Sequence, residues 1–241
     1  MRVLAIFGPT GVGKTGVAVE LAQHLRDPVA INCDALQLYE GLDVLAGAAT
    51  AAEREVLPHE LLGIVPVTAD FSIHEYMPLA HEAIDKALEA GRTPIVVGGT
   101  GLYLRAALAD LSLKKVPAFD EESELWSGVT RHPTRIFGLD MDRAKLYERI
   151  DARVDAIVAG GGEEEARRAD ELGAGRTARK ALGLNELLAG DLDTMKRRSR
   201  NYARRQLTWM RKIPDLEMID RTGLSDQAVA QRILASIGSA P

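Results

Sequence analysis

The chain is predicted to be an α/β protein, a P-loop-type parallel sheet flanked by helices with a C-terminal helical extension. Three observations carry this. Gly8-Pro-Thr-Gly-Val-Gly-Lys14-Thr15 has the spacing of a phosphate-binding loop. It lies between an apolar run, Val3-Leu-Ala-Ile-Phe7, and a stretch with helical spacing of Val17, Leu21 and Leu25. Further short β-branched runs alternate with amphipathic stretches, the pattern of a sheet built by strand–helix–strand crossovers.

The elements follow in order. A strand over residues 3–7 leads through the loop into a helix over 16–26. Pro28-Val-Ala-Ile-Asn32 reads as the next strand and ends at Asp34. Residues 71–90 read as a helix, with Tyr76, Leu79, Ala80, Ala83, Ile84 and Leu88 at core spacing and Gly91 as a stop. Thr93-Pro-Ile-Val-Val97 is a strand ending in Gly98-Gly99-Thr100-Gly101, and a helix starts at Leu102. Residues 109–133 are irregular and polar, a surface connection. Thr134-Arg-Ile-Phe-Gly-Leu139 returns to the sheet, and helices are expected near 142–159, 163–172, 177–189 and 193–211. The organisation is therefore a core over 1–140 and a mainly helical part over 141–241 packed on it.

Composition bounds the function. With 46% hydrophobic and 27% charged residues the chain is an ordinary globular protein. No apolar run is long enough to span a bilayer, so no membrane partner is expected. Met1-Arg2 leads straight into the first strand, so a cleavable signal is not expected, and a single cysteine, Cys33, fits a reducing cytoplasm. Cys33 reads as a small buried hydrophobe. A monomer is expected. The net charge is −5, but residues 194–213 hold eight Lys and Arg and no acid, leaving −13 on the remainder. A concentrated basic stretch on an acidic body points to a localised polyanion site; a solvated or salt-bridged helix face is the alternative.

The loop residues Gly8, Pro9, Thr10, Gly11, Val12, Gly13, Lys14 and Thr15 are the candidates for holding a nucleotide (ATP is the usual presumption) or another polyphosphate. Gly8 and Gly13 permit backbone angles closed to other residues, so that N–H groups turn toward one anion. The helix N-terminus adds partial positive charge, Lys14 reaches the outer phosphates, and the Thr15 hydroxyl can ligate Mg²⁺. The 93–97 strand ends without the carboxylate an ordinary NTPase needs, and Ile136-Phe-Gly-Leu-Asp140 matches that motif only loosely. Asp34, at the end of the second strand, can take a proton from a nucleophile approaching the bound phosphate. Its other reading is an N-cap of the turn at 35–39.

Several segments resemble the tRNA dimethylallyltransferase family. They are the loop, Ile31-Asn-Cys-Asp-Ala-Leu-Gln-Leu-Tyr39, Pro58-His-Glu-Leu-Leu62, Pro94-Ile-Val-Val-Gly-Gly-Thr-Gly-Leu-Tyr-Leu-Arg105, Ala181-Leu-Gly-Leu-Asn-Glu-Leu187 and Tyr202-Ala-Arg-Arg-Gln-Leu-Thr-Trp-Met-Arg211. The resemblance implies transfer of a dimethylallyl group from dimethylallyl diphosphate, with Mg²⁺, to N6 of the adenosine beside the anticodon of tRNA. It implies that the loop holds the leaving diphosphate and that Lys14 stabilises it. Asp34 would be the general base, Ala35, Leu36 and Gln37 would line the adenine site, and Thr100 would contact the reactive nucleotide unless it only caps its helix. A basic residue near 181–187 is also implied; Arg179 and Lys180 both fit, each with the alternative of a solvated helix residue. Arg200, Arg204 and Arg205 of the basic stretch are candidates for tRNA phosphates. Trp209 reads as core. The adenosine would have to leave its stack to reach Asp34.

The chain departs from the family pattern in three places. Ala46 and Ala48 stand where a threonine and a lysine are usual, and Gly63 stands where Asp is usual. Only the short 109–133 connection occupies the place of a helical insertion. A free adenine nucleotide (AMP, ADP or ATP) is therefore the alternative acceptor. A small-molecule kinase and a catalytically silent RNA-binding protein are the readings from other classes.

Overall fold

The computed structural model describes residues 2–112 and 124–238. Among them are six strands, β1 Val3–Phe7, β2 Pro28–Asn32, β3 His59–Glu60, β4 Thr93–Gly98, β5 Thr134–Asp140 and β6 Leu216–Asp220. The helices are α1 Lys14–Ala22, α2 Asp43–Ala46, α3 Ala51–Val56, α4 Ile73–Glu89, α5 Gly101–Leu108, α6 Arg143–Ala159, α7 Gly162–Glu171, α8 Leu184–Leu188, α9 Leu192–Met210 and α10 Asp226–Gly238.

All strand pairs are parallel, in the order β3-β2-β4-β1-β5-β6. All five β1 residues are buried because helices cover both faces of the sheet. One core packs α4, α5 and α9 on one face; the other packs α1, α6 and α10 on the opposite face. The chain leaves β1 for β2, returns to insert β4 between them, then continues on the far side of β1. The carboxyl ends of β1, β4 and β2 are therefore neighbours. That is the crevice in which such sheets bind ligands.

The α4 helix begins at Ile73, two residues later than expected, because Ser72 is its N-cap: Glu75 accepts a hydrogen bond from the Ser72 backbone N–H at 2.9 Å, half of a capping box. Three further expectations change. The first helix is shorter than 16–26, running Lys14–Ala22. Residues 177–189 are not one helix: Ala181 is extended, Gly183 has φ 108°, and they separate a single 3₁₀ turn at Ala178–Lys180 from α8. Within the mainly helical C-terminal part there is a strand that was not expected: β6 extends the sheet through pairs such as Leu139 with Ile219. Of the 109–133 connection, residues 113–123 lie outside the described residues, and Glu124–Trp126 forms one 3₁₀ turn.

Candidate active site

The loop leaves β1 at Gly8 and enters α1 at Lys14. Gly11 and Gly13 adopt φ of 80° and 90°, the left-handed region that favours glycine. Gly8 does not; a Cβ there would lie 2.7 Å from the Leu139 carbonyl, so its glycine answers to space. Lys14 Nζ donates to the Gly8 and Pro9 carbonyls at 3.0 and 3.1 Å. Burial lowers the Lys14 pKa to about 8, with Asp34 opposing the shift and Arg153 adding to it. Among the described residues no carboxylate pairs with this ammonium at salt-bridge distance, so the more distant Asp34 offsets the burial only in part.

Residues remote in sequence hold the loop. Gln206 of α9, almost fully buried, accepts from the Thr10 N–H at 2.8 Å and donates to the Gly99 carbonyl at 2.8 Å. One amide thereby ties the loop after β1 to the loop after β4. On the outer side Arg149 donates to the Gly11 carbonyl and buried Arg221 donates to the Val12 carbonyl. Arg221 is itself paired with Asp226 at 2.8 Å.

Asp34 sits at the end of β2 in a locally built turn. Its N–H donates to Asn32 Oδ1 at 2.9 Å, and its Oδ1 accepts from the Leu36 N–H at 3.1 Å. Asn32 is pinned in turn by donating to the Asp34 and Leu61 carbonyls. No helix follows Asp34, so the N-cap alternative reduces to that one turn bond. Its other oxygen, Oδ2, accepts no hydrogen bond among the described residues. Thr100 occupies the N-cap position of α5 without a side-chain capping bond. Its hydroxyl instead accepts from the Ala35 N–H and meets the Tyr202 hydroxyl, both at 3.4 Å. Burial raises the Tyr202 pKa, with the Asp34 charge adding to it, so the phenol stays protonated as a donor. Cys33, buried beneath Asp34, is held as the neutral thiol by the same two causes.

A cavity of about 750 Å³ joins these groups. Lys14, Thr15, Asp34, Ala35, Leu36, Gln37 and Thr100 all line it, as do Thr10, Gly11 and Gly13. Gly8, Pro9 and Val12 are not among its lining residues. Gln37 donates to the Gly47 carbonyl at 3.2 Å, fixing the wall formed by α2. The inner face of α9 contributes Met195, Arg198, Ser199, Tyr202, Arg205 and Gln206, and α6 contributes Ile150, Arg153, Val154 and Ile157. These are helical spacings on one face of each helix.

The two basic candidates before Ala181 separate. Arg179 bonds the Ala174 carbonyl and the Asp170 carboxylate at 2.6 Å, whereas Lys180 lines the cavity. The basic stretch is less uncompensated than its sequence suggests. Lys196 pairs with Asp155 at 2.6 Å, Arg200 with Asp151 at 2.6 Å, and Arg198 with buried Glu186. Those acids lie on α6 and α8, invisible to a local charge count. Lys212 lies over the Trp126 ring and Arg205 over Tyr202. Arg197, Arg204, Arg205 and Arg211 form no salt bridge among the described residues. Trp209 packs against Trp126 with ring centroids 4.9 Å apart and blocks any side chain at Gly101, as core.

Sequence reasoning passed over Gln206, Tyr202 and Arg153 as site residues. Gln206 and Tyr202 lie in the quoted Tyr202–Arg211 segment. Arg153 has only its helical neighbours Ile150 and Ile157 as a signal, and both read as core. Asp140, the loose metal-carboxylate match, bonds the Met141 N–H and is not part of the cavity wall.

The chain is similar to known proteins over nearly its whole length. The profile of the IPP transferase family matches residues 37–128 and 114–213, and that of the isopentenyl transferases matches 1–64. Proteins named tRNA dimethylallyltransferase from Salinispora tropica and Streptomyces coelicolor are 34% and 33% identical. Those alignments cover 96% and 100% of this chain and 92% and 96% of the relatives. The S. tropica alignment runs over 295 positions against 241 residues, so at least 54 positions have no residue of this chain. The two IPP transferase segments meet inside the 109–133 connection. The crystal structure of the tRNA isopentenylpyrophosphate transferase of Bacillus halodurans superposes with TM-score 0.87 at 29% identity, covering 98% of this chain and 95% of that one. A eukaryotic dimethylallyltransferase, described as acting on tRNA, shares the fold at TM-score 0.84 and 22% identity, covering 100% and 80%. Loop, carboxylate and cavity thus occur together in a chain whose likeness to these proteins runs nearly end to end, and the chain belongs to the tRNA dimethylallyltransferase (IPP transferase) family.

Proposed function

We infer that the protein is a tRNA dimethylallyltransferase, moving a dimethylallyl group from dimethylallyl diphosphate to N6 of the adenosine beside the anticodon. The observation that carries the reading is the convergence of Lys14, Asp34 and Thr100 on one cavity. A cation and a P-loop receive an anionic leaving group, and a carboxylate faces the same space.

The step balances as a substitution at carbon. The N6 lone pair forms a bond to C1 of the allyl group, and the C1–O bond breaks with its electrons going to the diphosphate. The N6 proton goes to Asp34 Oδ2. Positive charge develops on the allyl group and negative charge on the diphosphate, so loop amides and Lys14 act where charge appears. The Thr100 hydroxyl, held between the Ala35 N–H and Tyr202, is placed to orient the acceptor, with Ala35, Leu36 and Gln37 as the adenine wall. Lys180 supplies a cation from the far wall.

The residues present fit a magnesium ion brought in with the diphosphate. Mg²⁺ keeps several waters and takes one or two protein ligands plus substrate phosphates, and Thr15 beside Lys14 offers such a hydroxyl. When bound, the ion neutralises charge on the departing diphosphate. For tRNA, the salt-bridge-free Arg197, Arg204, Arg205 and Arg211 are the phosphate contacts on α9 and just beyond it, with Arg200 held by Asp151.

The test is incubation with Mg²⁺ and labelled dimethylallyl diphosphate, offering separately an anticodon stem-loop, AMP and ATP. Label in the stem-loop is expected. Label only in AMP or ATP would replace the acceptor, and ATP consumption without allyl transfer would replace the reaction. No helix is long and apolar enough to cross a membrane among the described residues.

A further inference from the structure

We propose that Arg221 is a positioning residue for the phosphate loop, fixing from behind the peptide groups that aim the Gly13 and Lys14 N–H groups at the departing diphosphate; this rests on the donor reading above. Arg221 follows β6 and is 3% exposed. Its backbone N–H donates to the Asp140 carbonyl at the end of β5, 2.9 Å away. Its Nη1 donates to the Val12 carbonyl at 2.6 Å and reaches the Gly13 carbonyl at 3.4 Å. Its Nη2 donates to the Leu224 carbonyl at 3.3 Å and pairs with Asp226, the first residue of α10, at 2.8 Å. The α10 residues Val229, Ala230 and Ile233 share one core with Val17, Ala18 and Leu21 of α1. Gly13, Lys14 and Thr15 line the cavity and Arg221 does not, so the guanidinium grips the loop from the side away from the ligand space.

Peptide geometry makes that grip directional. Among the described residues no peptide is cis, so the carbonyl and N–H of each unit point opposite ways. A Val12 carbonyl turned toward Arg221 turns the Gly13 N–H away from it, and the Gly13 carbonyl does the same for the Lys14 N–H. Neither N–H has a hydrogen-bond acceptor among the described residues, and both belong to residues that line the cavity. The Gly11 carbonyl has its own donor in Arg149, but the N–H of that peptide is used inside the loop, on the Pro9 carbonyl at 3.3 Å. Arg221 therefore serves the two peptides still able to receive an anion. Gly13, at φ 90°, lacks a side chain to restrict its backbone, so the orientation needs an outside hold. A Cβ there would collide with the Arg221 guanidinium, so the same glycine lets the arginine approach. The bond is also charge-assisted: a cation on the carbonyl oxygen polarises the peptide and strengthens its N–H as a donor. Charge on the diphosphate grows as the C1–O bond breaks, so donors fixed and polarised in advance act most strongly in the transition state.

The competing role is structural, an anchor for β6 and α10 on the outer side of the loop. The two roles differ in what the loop amides do. Arg221→Leu removes the donor, and Arg221→Lys keeps a cation able to reach a single carbonyl. For each, the full chain labelled with ¹⁵N-glycine is titrated with inorganic diphosphate and Mg²⁺ while the Gly13 amide resonance is followed. Diphosphate affinity by calorimetry, kcat and KM for the donor, KM for the stem-loop and the thermal midpoint accompany it. Expected for Arg221→Leu are diphosphate affinity about tenfold weaker and kcat about tenfold lower at saturating donor. Stem-loop KM should be unchanged, and the Gly13 amide should respond less to diphosphate than in wild type. Arg221→Lys should recover part of each. Affinity and kcat within twofold of wild type in Arg221→Leu would overturn the proposal, as would a lower thermal midpoint with an unchanged Gly13 response. If Arg221→Leu does not fold, Asp226→Asn decides, because it leaves Arg221 in place without its carboxylate. Diphosphate binding about threefold weaker with a reduced Gly13 response supports the positioning role, and an unchanged response counts against it. Wild-type protein whose Gly13 amide responds to diphosphate but which transfers no allyl group would fail the donor reading alone.

Discussion

The two ends of the cavity are held by different means. At the diphosphate end, the loop depends on residues from the far end of the chain: Gln206 reaches Thr10 across 196 positions, and Arg221 reaches Val12 across 209. At the acceptor end, Asp34 is set by Asn32 and Leu36, two residues away on either side. Remote support there comes from Thr100 and Tyr202 and, through Asn32, from the Leu61 carbonyl and the Tyr76 hydroxyl. The difference teaches that the pose of the loop is a tertiary product, sensitive to packing of α9 and β6, while Asp34, the proposed base, is posed chiefly by a local turn. A change at one end should therefore leave the other measurable.

The strongest challenge to that separation is Lys14→Ala. Transfer should fall about 10³-fold, as for loss of a group that stabilises developing charge, with stem-loop affinity unchanged; a matching loss of stem-loop affinity would mean the ends are coupled. Next is Asp34→Asn, expected to lower turnover by about 10²-fold while diphosphate affinity stays within twofold. Unchanged turnover would remove Asp34 as the base.

The pH dependence sharpens the comparison from the anion side. With a Lys14 pKa of about 8, the free protein carries the ammonium below that value and loses it above. Diphosphate stabilises the protonated form, so affinity should be full near pH 7 and fall roughly tenfold between pH 7.5 and 9. At saturating donor the bound anion raises the Lys14 pKa, and turnover should fall less over the same range. Donor affinity that rises with pH would contradict this placement of Lys14.

Gln206→Leu frees both the Thr10 N–H and the Gly99 carbonyl. A loss of about tenfold in donor affinity is expected, with a lower thermal midpoint, because a buried carbonyl and a half-buried N–H lose their partner. The smallest effect belongs to the outer face of α9. Arg204→Ala should weaken the stem-loop about threefold and reduce the salt slope of binding by roughly one, with no effect on diphosphate. Arg200→Ala, by contrast, should chiefly release Asp151 on α6.

Much of the acceptor end was legible in the sequence because its determinants are contiguous. The run from Asn32 through Gln37 contains both Asp34 and the residues that pose it. The loop was legible in composition, though Gly8 is glycine for space and not for backbone angle. The charge of residues 194–213 was legible as a sum but not in its pairing, since Asp151, Asp155 and Glu186 arrive from other helices. Arg179 and Lys180 were indistinguishable in sequence. The 3₁₀ turn at Ala178–Lys180 turns one to Asp170 and the other to the cavity.

The sequence alone determined the strand–loop–helix that opens the chain, the parallel sheet, and the chemical types at 14, 15, 34 and 100. Those are written in periodicity and local spacing, which survive without knowledge of neighbours. Only the tertiary structure decided that Gln206 joins two loops, that Arg153 of α6 lines the cavity and donates to the Ala46 carbonyl, and that half the basic helix is already neutralised. Each depends on the strand order, which brings the ends of β2, β4 and β1 together and lays α6 and α9 across them, pairing residues that no sequence window contains.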